Sequence, residues 1–194
     1  PETLSTLNSL GGALVGTGEF EEAEKIYLEI IEASRERFGE AHAETLRYMF
    51  NLVALYFDEL DRKEDALKIL GETLEIRRRH FGADHADTLV AQSELARGYG
   101  VIGDYEKVIE LLEPIFARLA LVNNSAHNET PQAALSLAAA WRETGRFKDA
   151  ETLLLGTLAQ VDAIYAAHPN VKRPVNPGRV IAGPIRLYKK SGNQ

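Results

Sequence analysis

The sequence predicts an all-α protein, an α-solenoid of stacked helix–turn–helix units. Three observations support this: a residue pattern that recurs about every 42 residues, apolar residues at helical spacing within each copy, and a turn between the two helices of each copy. One such helix pair cannot bury its own apolar faces, whereas neighbouring copies bury each other's. The 194 residues therefore form one repeat array rather than several domains.

Two anchors recur in four copies and define the repeat. A threonine closes each connector between copies, with spacings of 42, 43 and 42 residues, at Thr3, Thr45, Thr88 and Thr130. A second residue follows each turn inside a copy, with spacings of 43, 42 and 42 residues, at Ala23, Ala66, Val108 and Ala150. The anchors predict repeats at about 1–40, 41–83, 84–125 and 126–170. The extra residue of the second repeat lies between Thr45 and Ala66.

Each first helix is predicted to carry a small residue where a neighbouring helix comes close. A large residue three positions later fills the space beside it. The apolar residue before the small one shares their helix face, because the three follow i, i+1, i+4 spacing. The four sets are Leu10-Gly11-Leu14, Val53-Ala54-Phe57, Leu95-Ala96-Tyr99 and Leu137-Ala138-Trp141.

Glycines mark the turn between the two helices of a copy. Gly18, Gly103 and Gly145 suit a left-handed C-terminal cap. Asp61 takes this place in the second repeat, and aspartate tolerates the conformation better than most residues. The second helix then carries an apolar stripe, as at Leu153, Leu154, Leu158 and Val161.

Pro114 falls inside the predicted second helix of the third repeat. It removes a hydrogen bond to Glu110 and clashes with that turn, at a cost of about 3 kcal/mol in a helix interior. We therefore expect the helix to kink at Pro114 and to bend the array locally. A straight helix through residues 106–120 would contradict this expectation.

The composition excludes several classes of protein. The chain has no cysteine, which excludes a disulfide scaffold, a thiol nucleophile and a cysteine-ligated metal. The net charge of −7 argues against nucleic acid as the main partner. No apolar run approaches the roughly 20 residues of a membrane span, and no signal-like segment is present. We expect a cytoplasmic module, cut from a longer protein, with no membrane partner.

Candidates for chemistry are few. His42, His85 and His127 each precede a connector threonine by three residues. A metal needs ligands within about 4 Å of each other, since its bonds are near 2 Å, whereas equivalent positions of successive repeats lie farther apart. The histidines are predicted to order the connector and the start of the next helix. The sequence shows no catalytic triad and no phosphate-binding loop, so we expect no enzyme activity, no cofactor and no metal.

One basic run, Arg77-Arg78-Arg79-His80, stands out in this acidic chain. It lies at the predicted end of a second helix, where cations offset the helix dipole. A solvated helix end is the favoured interpretation, and a site for an acidic partner or a phosphate is the alternative.

The small-x-x-large pattern followed by Gly-x-aromatic-x-x-Ala resembles the tetratricopeptide repeat. The 42-residue period and the Gly-x-x-His-x-x-Thr-Leu connector resemble the long repeat variant of kinesin light chains, over roughly residues 1–170. The resemblance implies a right-handed superhelix that binds an extended or helical segment of a partner protein in its concave groove. It also implies that groove residues lie on the first helices, where asparagine holds partner backbone.

Alignment with that family assigns the groove positions. Asn8 and Asn51 match the asparagine position, which Ser93 and Leu135 occupy in repeats three and four. Tyr48 and Gln132 line the near end of the groove. The remaining positions are Gly12, Leu55, Arg97 and Ala139 one helical turn along, and then Val15, Gly16, Asp58, Glu59, Gly100, Val101, Arg142 and Glu143. The groove is thus mixed in charge and does not reproduce a uniformly basic carboxylate clamp.

Residues 171–194 depart from the repeat pattern. They form a proline-rich connector followed by a truncated fifth repeat or a capping helix. Two alternatives to a peptide-binding module stay open. One is a structural scaffold that self-associates weakly through its end helices. The other is a regulatory sensor of an attached enzyme, such as a bacterial serine/threonine kinase.

Overall fold

The computed structural model describes residues 2–118 and 129–167. All regular secondary structure in these two stretches is helical, which confirms the predicted all-α fold class. His127, His168 and the predicted fifth repeat or capping helix at 171–194 lie outside the described residues. The chain divides into two compact units, residues 1–91 and 92–194, and each is described by itself.

The helices come in pairs, with odd numbers for first helices and even numbers for second helices. The first unit contains α1 (Glu2–Thr17), α2 (Phe20–Phe38), α3 (Ala43–Asp58) and α4 (Lys63–Phe81). The unit boundary falls within α5 (Ala86–Ile102). The second unit continues with α6 (Tyr105–Leu112), α7 (Glu129–Glu143) and α8 (Phe147–Ala167).

First and second helices pack against each other, and the apolar residues meet between them. In the first unit α2 packs against α1 and α3, and α3 also packs against α4. In the second unit α7 packs against α6 and α8. The buried side chains include Ile30, Met49, Leu52 and Ile76 in the first unit, and Leu112, Leu137 and Leu154 in the second. None of the described helices is both long and apolar enough to span a membrane.

The turns inside the repeats adopt the predicted left-handed conformation. The φ angles are 85° at Gly18, 80° at Gly103 and 83° at Gly145. Asp61 has a φ of 51°, so it takes the glycine position of the second repeat as predicted. It is the only positive-φ residue other than glycine in the described stretches.

The turn after α3, rather than the helix, accommodates the extra residue of the second repeat. In three repeats a backbone N–H donates to the carbonyl five residues earlier, and in the second repeat the equivalent bond spans six. These bonds run from Glu19 to Leu14 (2.9 Å), Asp104 to Tyr99 (3.0 Å), Arg146 to Trp141 (2.6 Å) and Arg62 to Tyr56 (2.8 Å). An α-helix absorbs an extra residue only as a bulge, whereas a turn can lengthen freely.

The predicted correspondence within α3 was therefore wrong by one residue. Counting from Thr45, the residues equivalent to Leu10, Gly11 and Leu14 are Leu52, Val53 and Tyr56, and all three are buried. Ala54, predicted to be the small packing residue, is exposed. The packing position is consequently not always small, because Val53 occupies it in the second repeat.

Gly11 is required by its neighbour on α2. A β-carbon added at Gly11 would lie 2.8 Å from Cε1 of Tyr27, and that ring is itself buried. The residues equivalent to Tyr27 in the other repeats are the buried leucines Leu70, Leu112 and Leu154. The first repeat thus pairs glycine with a large ring, where the others pair valine or alanine with leucine.

Pro114 interrupts the second helix of the third repeat, as predicted. Helix α6 ends at Leu112, residues 113–115 form a turn, and residues 116–118 are helical again. The backbone N–H of Ile115 donates to the carbonyl of Leu112 at 3.1 Å, three residues back instead of four. The regular hydrogen bonding of the helix is thus interrupted at Pro114, where the sequence predicts a kink.

Two of the connector histidines, His42 and His85, have the predicted structural role. The rings of Phe38 and His42 stack with centroids 4.7 Å apart, and those of Phe81 and His85 stack at 4.9 Å. Nδ1 of His42 accepts from the backbone N–H of Glu44 at 3.2 Å, which caps α3. Nδ1 of His85 accepts from that of Asp87 at the same distance.

The connector threonines Thr45 and Thr88 are both buried but differ in their partners. Oγ1 of Thr45 donates to the carbonyl of Gly39 at 2.9 Å and lies 2.8 Å from Oγ of Ser34. Thr88 is equally buried, yet its hydroxyl has no hydrogen-bond partner in the described part of the chain. The position of Ser34 is taken there by Arg77, whose Nη1 donates to the carbonyl of Asp87 at 2.7 Å.

We expect Gly11→Ala to destabilise the protein by about 1–2 kcal/mol, because strain against the Tyr27 ring outweighs the helix propensity that alanine adds. In Gly11→Ala/Tyr27→Leu the two substitutions should be less destabilising together than the sum of their separate effects. Urea unfolding of the four proteins in this double-mutant cycle measures the coupling. Additive free energies would contradict the proposed ring contact.

We expect Thr45→Val to lower the free energy of unfolding by about 1–3 kcal/mol, because it leaves the buried hydroxyl of Ser34 without its Thr45 partner and removes a hydrogen bond to the carbonyl of Gly39. Thr88→Val is the matched control and should be close to neutral, since it removes a hydroxyl without a partner. Urea denaturation of both variants tests the difference. Equal losses in the two variants would show that the hydrogen bonds of Thr45 contribute nothing.

Candidate functional site

The candidate site is the accessible side of the first helices. In the first unit we call it the first-unit face. It comprises Ser5, Asn8, Gly12 and Val15 of α1 with Arg47, Phe50, Asn51, Ala54, Phe57 and Asp58 of α3, all exposed or half-buried. The corrected register explains the exposure, because Gly12 and Ala54 occupy equivalent positions in successive repeats.

Asn8 and Asn51 form the polar centre of the first-unit face. Nδ2 of Asn51 donates to Oδ1 of Asn8 at 2.7 Å, and both side chains are half-buried. In the corrected register Asn51 is equivalent to Ser9, so the two asparagines are neighbours across a repeat boundary rather than equivalent residues. A side-chain amide offers two N–H donors and a carbonyl acceptor. The bond between the two amides therefore leaves them further donors and acceptors for a partner.

Tyr48 was wrongly predicted as a groove residue. It is 2% exposed, and burial raises the pKa of its hydroxyl. Because the prediction was one residue out of register, Arg47 occupies the surface position instead. The Arg47 guanidinium covers the Tyr48 ring at 4.7 Å from its centroid and forms an ion pair with Glu44.

Leu55 and Ser93 also differ from the prediction. Leu55 is 2% exposed, and the register places Ala54 on the surface in its stead. Ser93 has the expected register but is 5% exposed, so the tight packing of α5 removes it from the accessible surface. Neither side chain can contact a partner without rearrangement.

The second unit carries its own candidate face, formed by the exposed side chains of Arg97 on α5 and Gln132 and Arg142 on α7. The arginines already have acidic neighbours, since Arg97 forms an ion pair with Glu94 and Arg142 with Glu143. An acidic partner would have to displace these carboxylates.

Arg78, Arg79 and His80 of the basic run at the end of α4 lie beside carboxylates. Nη1 of Arg78 lies 2.6 Å from Glu75, and Glu40 pairs with both Arg79 and His80 at 3.2 Å and 3.0 Å. The hydrogen bond from His80 is the main cause of a lowered Glu40 pKa. Three of the four residues of the run thus have a carboxylate partner, whereas Arg77 donates to the backbone carbonyl of Asp87.

Sequence reasoning missed two arginine clusters beside the intra-repeat turns. Arg62 lies over the Tyr56 ring at 4.3 Å and reaches Glu24 and Asp65 at 2.7 Å each. Burial, assisted by the hydrogen bond to Glu24, raises the Tyr56 pKa to about 12. An Arg-x-x-Asp pattern directly after the turn was the available signal.

The second cluster repeats this arrangement in the second unit. Arg146 lies over the Trp141 ring at 4.5 Å and pairs with Asp149 and Glu113 at 2.9 Å and 3.0 Å. Both clusters hold a turn against its neighbouring helices and provide no reactive group. Among the described residues, no group of three or more histidines and carboxylates is placed to hold a metal.

The chain matches a family model of the tetratricopeptide repeat over residues 2–79. No curated protein sequence matches it significantly. Among solved structures it is similar to nearly identical TPR-like repeats of a protein from Podosopora anserina described as a kinesin light chain. The TM-score is 0.63, with 18% identity over 100% of this chain and 98% of that one. A form of the same repeats with one substituted residue gives a TM-score of 0.65 with the same identity and coverage.

A further similar structure is BtubC (BKLC) from P. vanneervenii. The TM-score is 0.67 and the identity 20%, over 89% of this chain and 68% of that one. At these identities the likeness establishes the fold alone, and it agrees with the family match in the first part of the chain. Together with the helix pairs and the connectors, the matches show that the chain has the fold of kinesin-light-chain-like tetratricopeptide repeats, and that residues 2–79 match the model of that repeat family.

Proposed function

We propose that the chain binds an extended segment of a partner protein along the accessible side of its first helices. Tetratricopeptide repeats generally mediate protein–protein interactions, and this chain has their fold. The observation that carries the proposal is the hydrogen-bonded pair of Asn8 and Asn51. Side-chain amides on an accessible face can hold the N–H and C=O groups of a peptide whatever its sequence.

The neighbouring residues support the same proposal. Gly12 has no side chain and Ala54 has only a methyl group, so a peptide backbone can approach the two helices closely beside the amides. A β-carbon added at Gly12 would meet nothing within 4 Å. The face contains no nucleophile paired with a base, which fits binding rather than catalysis. We further propose that the chain acts in the cytoplasm, without a cofactor, as a module of a larger protein.

Self-association is the second candidate, and Leu10 favours it. Its equivalents Leu52, Leu95 and Leu137 are 1%, 8% and 1% exposed, whereas Leu10 is 46% exposed. A second copy that covered α1 would bury this side chain, and each Å² of apolar surface removed from water contributes about 25 cal/mol of stabilisation. Light scattering at two concentrations distinguishes this association from peptide binding by a monomer.

The test of the proposed function is selection of a random 12-residue peptide library on this protein. We expect enriched peptides whose affinity falls about tenfold in Asn51→Ala, because one hydrogen bond contributes up to about 1.5 kcal/mol. Fluorescence anisotropy of labelled peptides measures the loss.

Gln160→Ala is the matched control, since Gln160 is an exposed amide on the second helix α8. This variant should bind as tightly as the unaltered protein. Two outcomes would contradict the proposed function: no enrichment on folded monomer, or an equal loss in Asn51→Ala and Gln160→Ala.

A further inference from the structure

One side of α1 is exposed, although the equivalent side of α3 is buried. Both helices pack against the second helix of their own repeat, and α3 also packs against α2 of the repeat before it. A difference in exposure between equivalent residues therefore marks the side that a preceding repeat covers. On α3 this side has side chains that are only 1–2% exposed, at Tyr48, Met49, Leu52 and Leu55.

The equivalent residues of α1, counted from the connector threonines, are Thr6, Leu7, Leu10 and Ala13. We call these four residues the outer stripe. Leu10 is 46% exposed, Thr6 and Ala13 are exposed, and Leu7 is half-buried. The outer stripe thus presents to solvent a side of the helix that is core in the next repeat.

The outer stripe lies on an uncharged helix. None of the residues 3–18 is charged, although 26% of the residues in the chain are. The end of a repeat array that faces water usually has a polar outer surface, and α1 lacks the charges that would provide it. Two molecules of this protein, each with a net charge of −7, repel each other. Contact between two α1 helices keeps charged side chains out of the interface.

The spacing of the outer stripe is self-complementary. Leu7, Leu10 and Ala13 follow one another at intervals of three residues, with Leu10 in the middle. If two α1 helices pair in antiparallel orientation about a twofold axis at Leu10, the two Leu10 side chains meet. Leu7 of each copy then lies level with Ala13 of the other, so a large residue meets a small one and the helices can approach to the usual distance of about 8–10 Å.

Stacking of another copy on α1 in the manner of a preceding repeat fits less well. In α1 the positions of Tyr48 and Leu55 are taken by the smaller residues Thr6 and Ala13. A repeat placed before α1 as the first repeat is placed before α3 would leave voids at both positions, and each void forfeits packing contacts. The substitutions therefore favour the twofold pair over head-to-tail stacking.

From the exposure, the missing charge and the symmetry of the outer stripe, we infer that the protein forms a twofold dimer through antiparallel α1 helices, with Leu10 at the axis. A contact that uses the same patch of both copies closes after two subunits. Asn8 lies two residues before Leu10, which is about 200° around the helix, so the dimer leaves Asn8 accessible. This inference rests on the second candidate function, self-association, and specifies its surface and symmetry.

The experiment is sedimentation equilibrium over a range of protein concentrations. The unaltered protein should form dimers and no larger species. Leu10→Glu and Leu10→Lys should each weaken dimerisation at least about tenfold, because two like charges then meet at the axis. An equimolar mixture of the two variants should regain dimers, since residue 10 of one copy meets residue 10 of the other and the charges are opposite.

Leu28→Glu is the matched control. Leu28 lies on α2 and is 48% exposed, so this variant should dimerise like the unaltered protein. Circular dichroism and urea unfolding check that every variant folds. A monomer at every concentration, growth beyond the dimer, an equal loss in Leu10→Glu and Leu28→Glu, or no recovery in the mixture would each overturn the inference.

Peptide binding is tested separately on Leu10→Glu, which should be monomeric. If this variant binds the selected peptides and the binding depends on Asn51, the proposed peptide-binding function stands whatever the oligomeric state. If the unaltered protein dimerises as described but neither form binds a peptide, the inferred dimer stands and the peptide-binding function fails.

Discussion

The connector between repeats fixes the register on which the rest of the structure depends. A buried threonine hydroxyl at the start of α3 bonds to the carbonyl of Gly39 and to Ser34, while His42 caps the helix and stacks on Phe38. Once the first turn is held in this way, helical geometry alone decides which side chains are buried and which are accessible. Counting seven, eight and eleven residues from Thr45 reaches Leu52, Val53 and Tyr56 in the core. Counting nine reaches the exposed Ala54.

The fold was predictable because the repeat signals are local and recur. Left-handed residues at Gly18 and Asp61, the interruption at Pro114 and the role of the connector histidines all followed from backbone preferences that act within a few residues. The site was less predictable, because its membership depends on a single-residue insertion. Two anchors bracketed that insertion between Thr45 and Ala66 but did not place it in the turn rather than in the helix. For this reason Tyr48 and Leu55, which were predicted to lie on the accessible face, are buried in the core. Phe50, which was not predicted, lies on that face instead.

Contacts between residues that are far apart in the sequence could not be predicted from the sequence alone. Arg62 joins Tyr56, Glu24 and Asp65, and Glu24 lies 38 residues before it in the chain. The burial of Ser93 likewise depends on how closely neighbouring elements approach α5, which periodicity does not measure. Asn8 and Asn51 were predicted to be equivalent positions of two repeats, whereas the structure shows that they are different positions that meet across a repeat boundary. Its geometry nevertheless places two amides side by side on an accessible face.

Within each repeat, the side-chain sizes at facing positions of the first and second helix are matched, and this matching limits how such arrays can diversify. In the first repeat a glycine faces the buried ring of Tyr27, whereas the second repeat has Val53 and Leu70 at the corresponding positions. Single helices are therefore not interchangeable between repeats, because a foreign partner would either overlap or leave a void. The smallest portable segment is the whole hairpin together with its connector. Recombination, natural or engineered, should succeed where crossover points fall between hairpins and fail where they separate two helices of one pair.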